Sequence, residues 1–180
     1  MLMRSENACL LIVDVQQRLL TAMDSPRSVL SGCGLMMKAA GVLDVPIVVT
    51  EQYPEGLGPT VEPLAELAPE DAFFSKVHFS SAKNTAIRGK IDTIKPDQIV
   101  IAGIEAHVCV LQSALGFLEL GYQCFVVADA TSSRSPANHA AAMTRLREAG
   151  VGIVTSEMIV FEWLEKAGTD EFKELSRLLK

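Results

Sequence analysis

At 180 residues the chain is long enough for one domain with a sizeable core; 49% of it is hydrophobic and 21% charged. A formal net charge of −6, with no cluster of Lys and Arg, argues against nucleic acid or an anionic membrane as a partner, because phosphate binding draws on clustered cations. The polar start over 1–7, and apolar runs that all fall short of the roughly 20 residues of a membrane span, predict a cytoplasmic protein without a secretory leader. The four cysteines, Cys9, Cys33, Cys109 and Cys124, form no CxxC pair, so no metal site and no redox motif is expected, and no cofactor. In a reducing compartment they are thiols.

Taken in chain order, residues 8–14 form an unbroken apolar run that ends in Asp14. Such a run fits a strand buried on both faces. Ser25-Pro26 opens a helix over 26–43, Pro suiting the first turn. A β-branched strand follows over 46–51, ending in Glu51, and the segment 52–63, with three prolines and two glycines, reads as a long irregular loop. A short strand over 72–76 ends in Lys76, and a helix over 83–94 stops at Lys95-Pro96. The fourth strand covers 98–103; a helix over 106–120 follows, closed by Gly121 as its C′ residue. The fifth strand, 123–128, is followed by Asp129. Ser135-Pro136 then opens a helix that runs to Ala149 and Gly150. A sixth strand over 151–155 and helices over 156–166 and 170–179 complete the chain.

Strands alternating with helices give right-handed βαβ units and a parallel sheet. The predicted fold is α/β: one domain over 1–180, a three-layer α/β/α sandwich around a doubly wound six-stranded parallel sheet of order 3-2-1-4-5-6. Ligands in such folds bind beyond the strand carboxyl ends, where the order reverses. With that order strands one and four are neighbours, so Asp14 and Cys109 face each other across the crevice, and Lys76 approaches from strand three.

Those residue types suit nucleophilic chemistry. A thiolate is the reactive form of cysteine, and Cys109 near a helix start with Lys76 beside it is expected to favour that form. Burial disfavours a charged Asp14 unless Lys76 pairs with it. A carboxylate beside a thiol can take its proton and later return it to a leaving amine. The turn Gly103-Ile104-Glu105-Ala106 offers backbone N–H groups for an oxyanion. Each residue alone also has a purely structural reading: Asp14 as a turn cap, Lys76 as a solvated loop lysine, Cys109 as a small buried apolar group, Glu105 as a capping residue. His78, His107 and His139 carry no pattern, although His78 or His139 is an alternative base for Cys109.

The segments Leu11-Ile12-Val13-Asp14-Val15-Gln16, Phe74-Ser75-Lys76 and Gly103-Ile104-Glu105-Ala106-His107-Val108-Cys109-Val110 resemble, in order and spacing, the three signature segments of the isochorismatase-like hydrolases. The stretch Thr50-Glu51-Gln52-Tyr53-Pro54-Glu55-Gly56-Leu57-Gly58 and the ending Phe172-Lys173-Glu174-Leu175 resemble the isochorismatase domain-containing subgroup. The resemblance implies a catalytic triad of Asp14, Lys76 and Cys109. It also implies a cis peptide at Ile104–Glu105, an oxyanion hole from the backbone N–H groups of Glu105 and Cys109, and a homo-oligomer. Nicotinamidases of the family carry an Asp-x-His metal motif after strand two; here Glu51-Gln52-Tyr53 stands there, which argues against zinc and against that activity. True isochorismatases lack the cysteine, so Cys109 points to acyl chemistry at a small amide or related C–N bond. Glu105 stands where many family amidases have a small or hydroxyl residue, so their substrate preference does not carry over. Gln16 and Gln52 are candidates for substrate contact. The reading of a different class is a non-catalytic oligomeric scaffold or regulatory protein that keeps an old pocket.

Overall fold

In the computed structural model, which describes residues 1–179, the first apolar run forms β1, Ala8–Val13, buried at every position. A short helix α1, Gln17–Leu20, follows, then α2, Pro26–Val42, with its proline in the first turn as expected. After β2, Ile47–Gln52, the segment expected to be irregular carries two helical turns, α3, Pro54–Leu57, and α4, Glu62–Ala65. Each has a proline among its first residues, where the ring pre-sets φ for a helix; two of the three prolines that marked the loop therefore start helices.

Strand β3, Phe73–Lys76, leads to α5, Thr85–Ile94, whose Asn84 side chain accepts from the Ile87 N–H. Strand β4, Gln98–Ile104, ends one residue before a π-helical turn at Ala106–Val110, which runs into α6, Leu111–Glu119. Then come β5, Gln123–Ser132, α7, Pro136–Glu148, β6, Gly152–Val154, α8, Ser156–Leu164, and α9, Asp170–Leu175.

The six strands are all parallel, in the order β3-β2-β1-β4-β5-β6. Alternate residues of β1 enter opposite layers, as the period of two requires. Leu10 and Ile12 pack on the side holding Val29, Met36, Ile159 and Trp163; Cys9, Leu11 and Val13 pack on the side holding Ile87, Ile91, Val110 and Phe117. No helix among the described residues is long and apolar enough to cross a membrane.

One boundary differs in a way that matters. The sequence places the end of strand five at Ala128, with Asp129 following it. Instead it continues to Ser132, because its register against β4 shifts between Ile101 and Gly103 and the strand re-forms pairs from Thr131 to Gly103 and Ser132 to Ile104. The Asp129 carboxylate accepts from the backbone N–H and hydroxyl of Ser156, at 2.8 and 2.7 Å, and so caps α8.

Candidate active site

Strands β1, β2 and β3 end together beside the point where the sheet order reverses, and their ends bring Asp14, Thr50 with Gln52, and Lys76 into contact. Asp14 follows β1 with its backbone in the left-handed region, φ 53°, which few residues other than glycine adopt. Its N–H donates to the Thr50 carbonyl at 3.0 Å. Its carboxylate is then held on both oxygens. The Thr50 hydroxyl donates to Oδ1 at 2.7 Å and the Lys76 ammonium to Oδ2 at 2.7 Å. Both partners of this ion pair have fully buried side chains.

A buried pair of this kind is held only if the remaining donors are satisfied. Lys76 Nζ meets that condition: besides Asp14 it donates to Gln52 Oε1 at 2.7 Å and to the Phe79 carbonyl at 3.2 Å. An ammonium has three N–H donors, so none remains for a ligand. Gln52 is oriented in turn, its Nε2 donating to the Val77 carbonyl at 2.8 Å. Gln16 clasps the Gln52 backbone, accepting from its N–H at 2.8 Å and donating to its carbonyl at 3.0 Å and to that of Gly58 at 2.7 Å. The two glutamines, expected to contact substrate, face protein groups and hold the lysine and the strand end.

Cys109 sits in the π-helical turn and is 4% exposed. Burial, and next the Asp14 charge, push its thiol up to about 12, and Lys76 only partly offsets them. The expectation that the helix start and Lys76 favour the thiolate is thus overturned for the resting site: desolvation and the facing carboxylate win. The groups that act on the sulfur are Asp14 and Lys76, with no imidazole among them. His78 is exposed, His139 bonds the Thr131 hydroxyl at 3.1 Å and His107 that of Ser133 at 2.9 Å. The histidine-base alternative therefore has no geometric support.

The segment between β4 and the turn is tightly constrained. Gly103 has φ 116°, and a Cβ on it would lie 2.1 Å from the Val13 carbonyl oxygen. The Ile104–Glu105 peptide is cis. The Glu105 carbonyl accepts the N–H groups of Val108 and Val110 at 3.1 and 3.2 Å, and its side chain turns to Arg134. Glu51 is occupied by the Thr60 N–H and hydroxyl, both at 2.7 Å. Among the described residues no group of three or more His, Cys, Asp or Glu is placed to hold a metal ion.

Sequence reasoning missed Thr50, the Phe79 carbonyl and Arg134. Thr50 had a usable signal. It lies two residues before Gln52 on β2, on the same strand face, and the register aligns Thr50 with Val13 and Gln52 with Lys76. Arg134 had none, because it reaches Glu105 only through the extended β5.

Residues 8–158 match the family described as the isochorismatase domain. Mouse isochorismatase domain-containing protein 2A is 36% identical over 176 residues, spanning 97% of this chain and 84% of its own length. The secreted isochorismatase effector Isc1 of Phytophthora sojae is 37% identical over 179 residues, 97% of this chain and 85% of its own. Among solved structures, the MAR1 ribonuclease of Caenorhabditis elegans superposes with a TM-score of 0.93 at 32% identity, covering 99% of this chain and 92% of the other. YcaC of Escherichia coli, described as an octameric hydrolase of unknown specificity, has a TM-score of 0.93 at 22% identity, over 98% of this chain and 90% of the other; that likeness is one of fold.

Proposed function

Because the chain belongs to the isochorismatase family, we propose that it is a cysteine hydrolase of a small amide or related C–N bond, acting through Cys109, Asp14 and Lys76. The observation that carries this reading is the fully buried Asp14–Lys76 pair beside the Cys109 sulfur. A dry ion pair contributes little to stability compared with apolar packing, so its retention at the sheet's switch point argues for chemistry.

The raised thiol decides how the nucleophile forms. With a value of about 12, a free thiolate at pH 7 is populated at roughly one part in 10⁵. Proton transfer is therefore coupled to attack. Asp14 takes the thiol proton as sulfur bonds to the carbonyl carbon, and the carbonyl electron pair moves to oxygen. The backbone N–H groups of Glu105 and Cys109 receive that oxyanion. Its collapse breaks the C–N bond, and Asp14 returns the proton to the leaving amine. Water, deprotonated by Asp14, then hydrolyses the thioester. Lys76, with every N–H engaged, acts by charge and by holding Asp14; Thr50, Gln52 and Gln16 hold those two in place.

The test is a screen of small amides, ureas and hydroxamates with wild type, Cys109→Ala and Asp14→Asn, read by ammonia release and by the mass of an acyl adduct. Turnover in wild type alone, with an adduct on Cys109, is the expected result; turnover that survives either substitution rejects the mechanism. A second reading, ribonuclease activity, is favoured by the 32% identity to the nematode protein over 99% of the chain. The net charge of −6 opposes it, since RNA binding needs cations. A mixed-sequence RNA cut by wild type and not by Cys109→Ala would replace the amide reading. No turnover and no adduct with any probe would leave the scaffold reading. A homo-oligomer in the cytoplasm is the proposed working form, consistent with exposed Leu120, Met158 and Phe161.

A further inference from the structure

We infer that Arg134 is a positioning residue that neutralises the Glu105 carboxylate, so that the oxyanion of the proposed acyl transfer forms beside a masked charge. This rests on the hydrolase reading above and goes beyond it. Glu105 presents a paradox for that chemistry: its backbone N–H is a proposed donor to the oxyanion, yet its own side chain is an acid, 6% exposed as a residue. A bare buried carboxylate on the residue whose N–H is that donor opposes the developing negative charge, because like charges repel strongly where water is excluded.

The structure meets this with a dedicated cation. Arg134 grips Glu105 through its backbone N–H at 3.1 Å to Oε2, through Nε at 3.2 and 3.0 Å to the two oxygens, and through Nη2 at 2.6 Å to Oε1. Burial pushes the Glu105 carboxyl up, and these bonds more than offset it, leaving it below the ordinary carboxylate range. The other titratable group facing it is His107, whose Nδ1 lies 4.0 Å from Oε2 and bonds Ser133. Arg134 itself is 61% exposed, so the guanidinium gains nothing from burial and serves as a cover for the acid. Each of the site's two buried acids thus has one cation of its own, Asp14 with Lys76 and Glu105 with Arg134.

The experiment compares two reactions of the Cys109 thiol. With p-nitrophenyl acetate the sulfur bonds to the carbonyl carbon, the thiol proton goes to Asp14, and the oxyanion collapses with loss of p-nitrophenolate. With iodoacetamide the thiol proton likewise goes to Asp14 as the sulfur displaces iodide at a saturated carbon, and no oxyanion forms. Arg134→Gln should slow acylation roughly tenfold to a hundredfold relative to alkylation. The double variant Glu105→Gln/Arg134→Gln should return the ratio to within about threefold of wild type. Arg134→Lys, which keeps the charge without the fork, should stay near wild type and serves if the glutamine variant fails to fold. An unchanged ratio in Arg134→Gln, a double variant as impaired as the single one, or a lysine variant as slow as glutamine overturns the inference. Wild type that is alkylated but never acylated at Cys109 instead removes the hydrolase reading itself.

Discussion

Asp14 and Lys76 are each expensive to bury alone. Their 2.7 Å bond in a fully buried site leaves neither able to lose its partner cheaply. Lys76→Met should destabilise the protein by about 3–5 kcal/mol, since an uncompensated carboxylate remains inside. The double variant Asp14→Leu/Lys76→Met should recover much of that loss and remain without activity. Urea unfolding of the three proteins checks this; equal instability of single and double variants would mean that the pair is needed for the fold. At this scale the sequence singled out Asp14, Lys76 and Cys109 as candidates but misjudged the resting sulfur, because a side chain's charge state depends on what surrounds it. Helix position is legible in sequence, whereas the desolvation that pushes Cys109 up to about 12 is not.

At the scale of elements, the site is the meeting of strand ends. β1 turns sharply at Asp14, β2 supplies Thr50 and Gln52 from one face, β3 ends on Lys76, and β4 passes Gly103 against Val13 before the turn that carries Cys109. Gly103 is the position where this approach tolerates no side chain. Gly103→Ala would place Cβ 2.1 Å from the Val13 carbonyl oxygen at a φ of 116°, so β1 and β4 must separate next to Asp14. The expected cost is about 2–4 kcal/mol, with loss of activity even in the folded fraction. Denaturation midpoints and turnover per folded molecule check it, and a fully active variant would show that the strand ends are looser than described. Strand existence was readable from unbroken apolar runs, and the order supposed for a doubly wound sheet is the one observed. The extension of β5 to Ser132 was not, because it depends on a register shift against β4, and polar Asp129 resembles a strand end until its bond to Ser156 is seen.

Across the whole molecule the four thiols give a shared pH response. Cys9, Cys33, Cys109 and Cys124 are each pushed up to about 12, chiefly by burial, while unfolded thiols ionise near 8.5. Between those values the unfolded chain has lost protons that the folded one keeps, so stability falls as pH rises, by up to about 1.4 kcal/mol per pH unit for each thiol. Stability should therefore be fully present below about pH 8 and decline steeply from about pH 9 toward 12. Cys33→Ala should make that decline shallower, as read from urea midpoints across this range; an unchanged slope would mean that Cys33 ionises in the folded state. Light scattering tests the proposed assembly: a mass several times that of one chain is expected, and a single-chain mass at micromolar concentration removes it.

The apolar runs, their lengths and their alternation with helices were enough to indicate a doubly wound parallel sheet, and the order 3-2-1-4-5-6 supposed for it put Asp14, Lys76 and Cys109 at one edge as candidates. Burial on both faces and right-handed crossover leave few other arrangements. Tertiary structure alone decided how those groups are used: that Lys76 spends its last protons on Gln52 and Phe79, that the glutamines face inward, that the thiol rests protonated, and that Glu105 is covered by Arg134. Such facts depend on distances between atoms far apart along the chain and on the exclusion of water, neither of which a pattern of residue types encodes.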